Sequence, residues 1–232
     1  MSILVLGAEH TTDLLTADQI LTKLASAEAA RDRLLRSYKV TRVYQIKADK
    51  AEKSVRAAAE FEFHEPGGKS YRILEEDGPE GLLRRALHKV MQAEVKASKS
   101  EEELSVSPQN YTARLLGKEE KNGRLHYVLE VTPRRKSKYL LQGKAWVDAA
   151  EFALTRIEGR PTESLSFWVG KPYIEQNFTK VGYYWLLANN KSTVDAKFVG
   201  RLEFTIESSD YSVHPLAATS VSSHGKKRSL LN

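Results

Sequence analysis

Apolar and polar residues alternate along most of the chain, and the longest such run is residues 192–207, STVDAKFVGRLEFTIE. Every even-numbered position from Val194 to Ile206 is apolar or glycine, and every odd-numbered position between them except Val199 is polar. A period of two predicts a β-strand with one buried face and one face in water. As a single strand this run would be roughly 40 Å long, about twice the usual length. Such a strand needs a large apolar partner for its buried face.

Shorter runs of the same period predict that strands dominate the rest of the chain. Asn122-Gly123 separates two of these runs, and this dipeptide is the strongest short signal for a β-hairpin. Turn residues such as Pro66-Gly67-Gly68 and Asn189-Asn190 separate others. The predicted strands cover residues 38–48, 55–63, 71–74, 111–119, 124–132, 139–147, 152–158, 167–178, 183–188 and 192–207.

Two segments have the helical spacing of apolar residues instead. Thr16-Ala17-Asp18-Gln19 fits a capping box, and apolar residues follow at intervals of three and four, which predicts a helix over 17–37. Apolar residues repeat in the same way between positions 82 and 91, which predicts a second, amphipathic helix over 79–97. The Ser- and Glu-rich residues 98–110 are predicted to form a loop.

A sheet of this width has to close, split or wrap around something, because long strands coil. Gly143 and Gly200 lie in mid-strand on apolar faces, where a sheet can bend sharply or admit a close neighbour. The residues therefore predict a mainly β protein of the α+β class. Its strongly curved antiparallel sheet wraps a concave apolar face around the two helices, a ligand, or both.

Composition narrows the classes of function. Hydrophobic residues make up 41% of the 232 residues and charged residues 28%, which is too apolar for wholesale disorder. The absence of cysteine excludes disulfides, thiolate metal sites and cysteine nucleophiles. The net charge of +6 is modest, and the basic runs 134–136 and 226–228 have no interleaved aromatic residues, so nucleic acid is not an expected partner. No stretch approaches 18 apolar residues, so no membrane-spanning helix is predicted.

Motifs of catalysis and metal binding are missing from the sequence. The six histidines are scattered, without the paired spacing of metal-binding helices. Residues 63–70 end like a phosphate-binding loop, but Phe63 stands where that motif needs glycine, and a strand is predicted to follow. There is no Gly-x-Ser-x-Gly motif, and the carboxylates on predicted strands fall mostly on polar faces. We therefore predict no metal site, no cofactor and no catalytic residue, so that the protein is not expected to be an enzyme.

Aromatic residues, by contrast, are concentrated after position 140. A packed core would explain them, and so would an apolar cavity beneath the curved sheet that some of them line. The candidate cavity-lining residues are Trp146, Phe152, Phe167, Trp168, Trp185, Phe198 and Phe204.

The two ends of the chain differ from the rest. Near the N-terminus, the apolar run Ile3–Leu6 is followed by small Gly7 and Ala8. This segment is too short for a complete secretory signal, and no positive charge precedes it. It is similar to the last part of a secretory signal, and a frayed terminus is the alternative interpretation. Residues 212–232 are rich in Ser, Ala and Lys and are predicted to form a flexible tail.

Several short stretches between residues 110 and 211 together carry a family signal. They are residues 127–133, 146–148, Phe152, 156–159, 166–168, 178–182, 184–186, 205–207 and 210–211. In these stretches the chain resembles a bacterial family of outer-membrane lipoprotein-sorting proteins, within the LolA/LolB-like superfamily. Over residues 17–97 the likeness is confined to the layout of helix, strands and helix.

The resemblance implies an incomplete antiparallel barrel with helices lying across its open, apolar side. It implies one such half-barrel domain over residues 16–211, preceded by the segment 1–15 and followed by the tail. The function it implies is that of a non-enzymatic carrier in the periplasm, which binds a lipid or the acyl chains of a lipoprotein. Because one fold hosts unrelated functions, the alternative is a module that binds or senses other envelope proteins, with its cavity filled by its own side chains.

Overall fold

The computed structural model describes residues 15–50, 52–97, 104–164, 170–196 and 200–215. Two helices and ten strands form in these ranges. The elements in chain order are α1 Ala17–Asp32, β1 Leu35–Ala48, β2 Lys53–His64, β3 Gly68–Asp77, α2 Leu82–Ala97, β4 Tyr111–Lys121, β5 Arg124–Pro133, β6 Leu141–Asp148, β7 Leu154–Pro161, β8 Tyr173–Val181, β9 Tyr184–Ala196 and β10 Gly200–Pro215.

All ten strands belong to one antiparallel sheet in the order β3-β2-β1-β10-β9-β8-β7-β6-β5-β4. Pairing of β1 with β10 joins the two halves of the chain, so that β3 and β4 are the outermost strands in the described part of the sheet. The sheet does not close, and α2 connects the two outermost strands. The predicted fold class, a mainly β protein with an incomplete antiparallel barrel and two helices, is confirmed.

The single long strand predicted over residues 192–207 is wrong. Val194 and Ala196 belong to β9, whereas Leu202 belongs to β10 and lies directly opposite Val194. Residues opposite one another in an antiparallel pair share a face, so the even-numbered positions stay on one face through the hairpin. The alternation is therefore the same for one strand of roughly 40 Å and for two shorter strands that pair.

The ends of other elements also differ from the prediction. The capping box forms as predicted. The backbone N–H of Gln19 donates to Thr16 Oγ1 over 3.2 Å, and the backbone N–H of Thr16 donates to Gln19 Oε1 over 2.8 Å. Helix α1 ends at Asp32 rather than at residue 37, because the following residues pair in β1. Strand β10 extends to Pro215, so residues 212–215 pair with β1 instead of beginning a tail; residues 1–14 and 216–232 lie outside the described part of the chain.

Both helices pack on the same face of the sheet, which we call the inner face. Residues that lie opposite one another on adjacent strands share a face. One such row crosses the sheet on the inner face and consists of Tyr44, Ile206, Asn190, Gln176, Ile157, Ala145 and Leu129, each opposite the next. At one end, α1 packs Ile20, Leu21 and Leu24 against β5, β6 and β7. At the other end, α2 packs Leu87 and Met91 against β1 and β2. The inner face thus carries two apolar clusters, one under each helix.

Candidate functional site

A cavity of about 440 Å³ lies on the inner face where the two apolar clusters meet. Its volume falls within the usual range of roughly 300–1,000 Å³ for small-molecule sites. Six strands, β1, β4, β6, β7, β8 and β9, contribute apolar or aromatic side chains, and both helices contribute charged ones. The apolar and aromatic lining residues are Leu35, Leu104, Val106, Tyr111, Tyr139, Leu141, Leu154, Ile157, Phe178, Tyr184, Trp185 and Leu186.

One wall of this inner cavity is charged. Glu28, Arg31 and Asp32 follow one another at helical spacing on α1, so they lie on one side of the helix and line the cavity together. Arg31 is only 7% exposed; its Nη2 donates to the backbone carbonyl of Glu151, and its Nη1 has no hydrogen-bond partner among the described residues. Burial, with a further contribution from Asp32, raises the pKa of Glu28 to about 7, although Arg31 and the Leu154 backbone oppose the rise.

The raised pKa of Glu28 predicts a pH dependence of stability. Since the ordinary value is 4.5, the folded state binds this proton more tightly than the unfolded chain. The contribution of Glu28 to stability is therefore fully present below its ordinary pKa of 4.5 and is lost as the pH rises through about 7. Glu28→Gln is expected to remove this fall and to raise the free energy of unfolding at pH 8 by up to about 3 kcal/mol. Urea denaturation at several pH values between 5 and 8 measures this change in the free energy of unfolding.

Glu120→Gln, a change at an exposed carboxylate of β4, is the matched control and should leave the pH dependence of the parent intact. If the unfolding free energies of Glu28→Gln and the parent run parallel across this pH range, the inferred protonation of Glu28 is wrong.

Beneath α2, an ion pair connects the helix to the sheet. Arg42 of β1 is 5% exposed and pairs with Glu94 of α2. Tyr44 Oη donates to Glu94 Oε2 over 2.5 Å, and the Arg42 guanidinium lies 5.4 Å from the centroid of the Phe61 ring. A carboxylate and a guanidinium removed from water in this way stabilise the docked helix only while both are present.

The structure places four of the seven predicted cavity residues, and they do not form one cluster. Trp185 lines the inner cavity. Phe152 lies under α1, stacked on Tyr127 with ring centroids 6.2 Å apart, and Phe204 packs in the α2 cluster, 6.3 Å from Tyr44. Trp146 lies on the opposite face of the sheet, which we call the outer face. Phe167, Trp168 and Phe198 lie outside the described residues, and a role for any of the seven in ligand binding stays a prediction.

Sequence reasoning missed most of the cavity lining. Its aliphatic members alternate like any core-facing residues, so nothing in the pattern distinguishes a cavity wall from a packed core. Arg31 lies in the last turn of α1, where the helix dipole favours a cation in any protein, so its position alone indicates no site. The helical spacing of Glu28, Arg31 and Asp32 was the one available signal for a charged wall.

Two further properties concern only the described part of the chain. In it, no group of three or more His, Asp or Glu side chains is arranged to hold a metal ion. Neither α1 nor α2 has the length and apolarity needed to cross a membrane.

Comparison with known proteins gives similarity at the level of structure. No family model matches the sequence, and no curated protein matches it significantly.

Among solved structures, the chain is similar to a LolA superfamily protein from Nitrosomonas europaea, with 17% identity, a TM-score of 0.41, and coverage of 88% of this chain and 96% of that one. It is also similar to a putative outer membrane lipoprotein-sorting protein domain from Vibrio parahaemolyticus, with 15% identity, a TM-score of 0.41, and coverage of 82% and 91%. A third, the lipoprotein LppX of Mycobacterium tuberculosis, has 8% identity, a TM-score of 0.27, and coverage of 83% and 94%.

Proposed function

We propose that this protein is a non-enzymatic carrier that holds a lipid, or the acyl chains of a lipoprotein, in the inner cavity. The observation that supports this proposal most is the cavity of about 440 Å³ between two apolar clusters, lined mainly by aliphatic and aromatic side chains. The resemblance of residues 110–211 to lipoprotein-sorting proteins adds the periplasm as the proposed compartment.

Acyl chains are the ligand class that suits this lining. Removing one CH₂ group from water contributes about 0.8 kcal/mol, so a chain of some 14–16 carbons contributes on the order of 10 kcal/mol before ordering costs. Binding of this strength needs neither a metal nor a catalytic group. The charged wall formed by Glu28, Arg31 and Asp32 gives the polar end of such a ligand a place apart from the aliphatic wall.

Helix α2 is the proposed cover of the bound chain. Its Glu94 lines the cavity and pairs with Arg42, while Leu87 and Met91 pack against the sheet. Displacement of α2 would open the inner face between the two clusters without breaking the sheet, because no strand pairing passes through the helix.

Native mass spectrometry of protein expressed in a bacterial periplasm, followed by lipid extraction, tests the proposal. We expect a co-purified lipid with the parent protein and much less with Leu186→Trp, because the larger side chain fills part of the cavity. Leu116→Trp, at a 40% exposed position of β4 that does not line the cavity, is the matched control and should retain the lipid.

Reproducible absence of lipid from the parent protein, and failure of added fatty acids or phospholipids to bind, would refute the carrier function. Recovery of an envelope protein in place of lipid would support the alternative, a protein-binding module.

A further inference from the structure

A second concavity, of about 600 Å³, lies on the outer face of the sheet, and we call it the outer groove. Outer-facing residues of β5, β6, β7 and β8 form its floor, and residues near the β4–β5 and β8–β9 turns line its ends. Its floor includes Trp146, Arg156 and Asn177, which lie opposite one another on adjacent strands. The inner cavity lies on the other face, and the two share only Phe178 and Trp185 among their lining residues.

Two indole rings are held in place in the outer groove. Trp146 Nε1 donates to Glu119 Oε2 over 2.8 Å, and Trp185 Nε1 donates to Glu151 Oε2 over 3.0 Å. A guanidinium lies over each ring, that of Arg156 at 5.2 Å and that of Arg124 at 5.4 Å from the ring centroid. Cation–π contacts and hydrogen bonds of this kind fix the orientation of each indole before any ligand arrives.

Three cations that line the outer groove already have carboxylate partners. Arg124 pairs with Asp148 over 2.6 Å and with Glu151 over 2.8 Å. Lys180 pairs with the same Glu151 over 2.7 Å. Burial by itself would raise the pKa of Glu151, but hydrogen bonds from Lys180, Trp185 and Arg124 outweigh it and lower the pKa to about 2, so this carboxylate stays charged.

The third cation, Arg156, is neutralised in the same way. It pairs with Glu158 over 2.5 Å and with Glu175 over 2.9 Å. An anionic ligand would have to displace these carboxylates or accept their repulsion, and Lys121, near the β4–β5 turn, is the remaining lysine or arginine of the lining. The outer groove is therefore rich in donors and acceptors whose charges cancel.

A buried histidine in the outer groove has unused hydrogen-bonding capacity. His126 of β5 lies between Glu119 and Asp148 in the strand register and is 6% exposed, yet its Nδ1 has no partner among the described residues. A buried polar atom without a hydrogen-bond partner costs free energy unless water or a ligand supplies that partner. Thr155, Asn177 and Thr179 add further uncharged polar groups to the lining.

We propose that the outer groove binds an uncharged carbohydrate. The C–H faces of a sugar ring are apolar and fit against an indole, while its hydroxyl groups both donate and accept hydrogen bonds. Neutralised guanidinium–carboxylate pairs offer donors and acceptors side by side, which matches hydroxyl groups better than it matches an anion. The volume of about 600 Å³ is ordinary for a small-molecule site. The outer groove and the inner cavity lie on opposite faces of the sheet, and Phe178 and Trp185 line both.

Isothermal titration of the full chain with neutral hexasaccharides of glucose and of N-acetylglucosamine tests the proposal. We expect binding to at least one of them, weakened about tenfold or more in Trp146→Ala, because this change removes the indole surface against which a sugar ring would pack. Tyr71→Ala is the matched control, because Tyr71 stacks on Phe61 with ring centroids 5.2 Å apart in the α2 cluster and does not line the outer groove. It should bind like the parent.

Two further measurements distinguish a saccharide site in the outer groove from binding in the inner cavity and from a site for an acidic partner. Leu186→Trp, which narrows the inner cavity, should leave saccharide binding unchanged even where lipid binding is lost. Binding of polyglutamate in preference to the neutral saccharides, with the strong salt dependence of charge pairing, would overturn the proposal in favour of an acidic partner. Failure of the folded parent protein to bind either neutral hexasaccharide would overturn it as well.

Discussion

Gly143→Ala is expected to lower the free energy of unfolding by at least about 3 kcal/mol, a large part of the 5–15 kcal/mol typical of a domain. Gly143 of β6 lies opposite Gly159 of β7, and a Cβ atom at Gly143 would lie 2.0 Å from the backbone oxygen of Glu158 and 2.7 Å from the Gly159 Cα. Neither contact can be relieved by a side-chain rotation, since both atoms are backbone. The two strands would have to separate next to Ala145 and Ile157, which lie opposite one another in the apolar cluster beneath α1. Urea denaturation followed by circular dichroism measures the loss.

The reciprocal change, Gly159→Ala, should be equally damaging, because its Cβ would lie 2.2 Å from the backbone oxygen of Gln142 and its φ is +154°. Gly170→Ala is the control, since a Cβ there meets nothing closer than 3.9 Å among the described residues, and the loss of backbone freedom in the unfolded chain changes stability by at most about 1 kcal/mol. If Gly143→Ala and Gly170→Ala unfold at the same urea concentration, β6 and β7 do not approach as closely as the structure indicates.

Arg42→Met is expected to destabilise the protein by about 3 kcal/mol, because it leaves the Glu94 carboxylate of α2, whose side chain is 18% exposed, without its cation. Removing both charges together, in Arg42→Met/Glu94→Leu, should be far milder and close to neutral, since hydrophobic residues of similar volume replace the pair. The coupling between the two positions is measured by a double-mutant cycle of unfolding free energies in urea.

A surface ion pair of the same type provides the comparison. Arg114 and Glu130 lie on β4 and β5 with side chains 69% and 50% exposed, and Arg114→Met is expected to cost less than about 1 kcal/mol. Equal losses from Arg42→Met and Arg114→Met would show that the Arg42–Glu94 pair does not hold α2 against the sheet.

The local pattern of side chains predicted the fold class, both helices and most of the strands, but it wrongly placed a turn at Asn189-Asn190, which lies within β9. Most alternating runs lie on strands, Thr16 caps α1 as the capping box predicts, and the Asn122-Gly123 turn joins β4 to β5. Gly143, which the sequence placed on an apolar face in mid-strand, is the position where β7 approaches most closely. Such features depend on neighbours within a few residues or on the period of burial, and both are present in the sequence itself.

The alternation within β6 also contains a signal about the position of Trp146. Gly143, Ala145 and Val147 share one parity with Leu141, whereas Trp146 shares the other with Gln142 and Lys144. That parity already assigns Trp146 to the outer face, even though its size suggested an inner cavity. In β9 the same argument does not work for Trp185, because apolar residues occupy both parities from Tyr184 to Leu187.

Sequence by itself determined the alternation, the two helices and the side of each regular strand that is buried, because burial repeats with the period of the backbone. Only the tertiary structure decided that residues 192–207 belong to two paired strands, since the register places even-numbered residues of β9 and β10 on one face in either case. It alone also decided that space remains between the two apolar clusters and that carboxylates neutralise Arg124 and Arg156 on the outer face. These properties depend on how distant strands and helices meet, and contacts between residues far apart in the chain leave no periodic trace in the sequence.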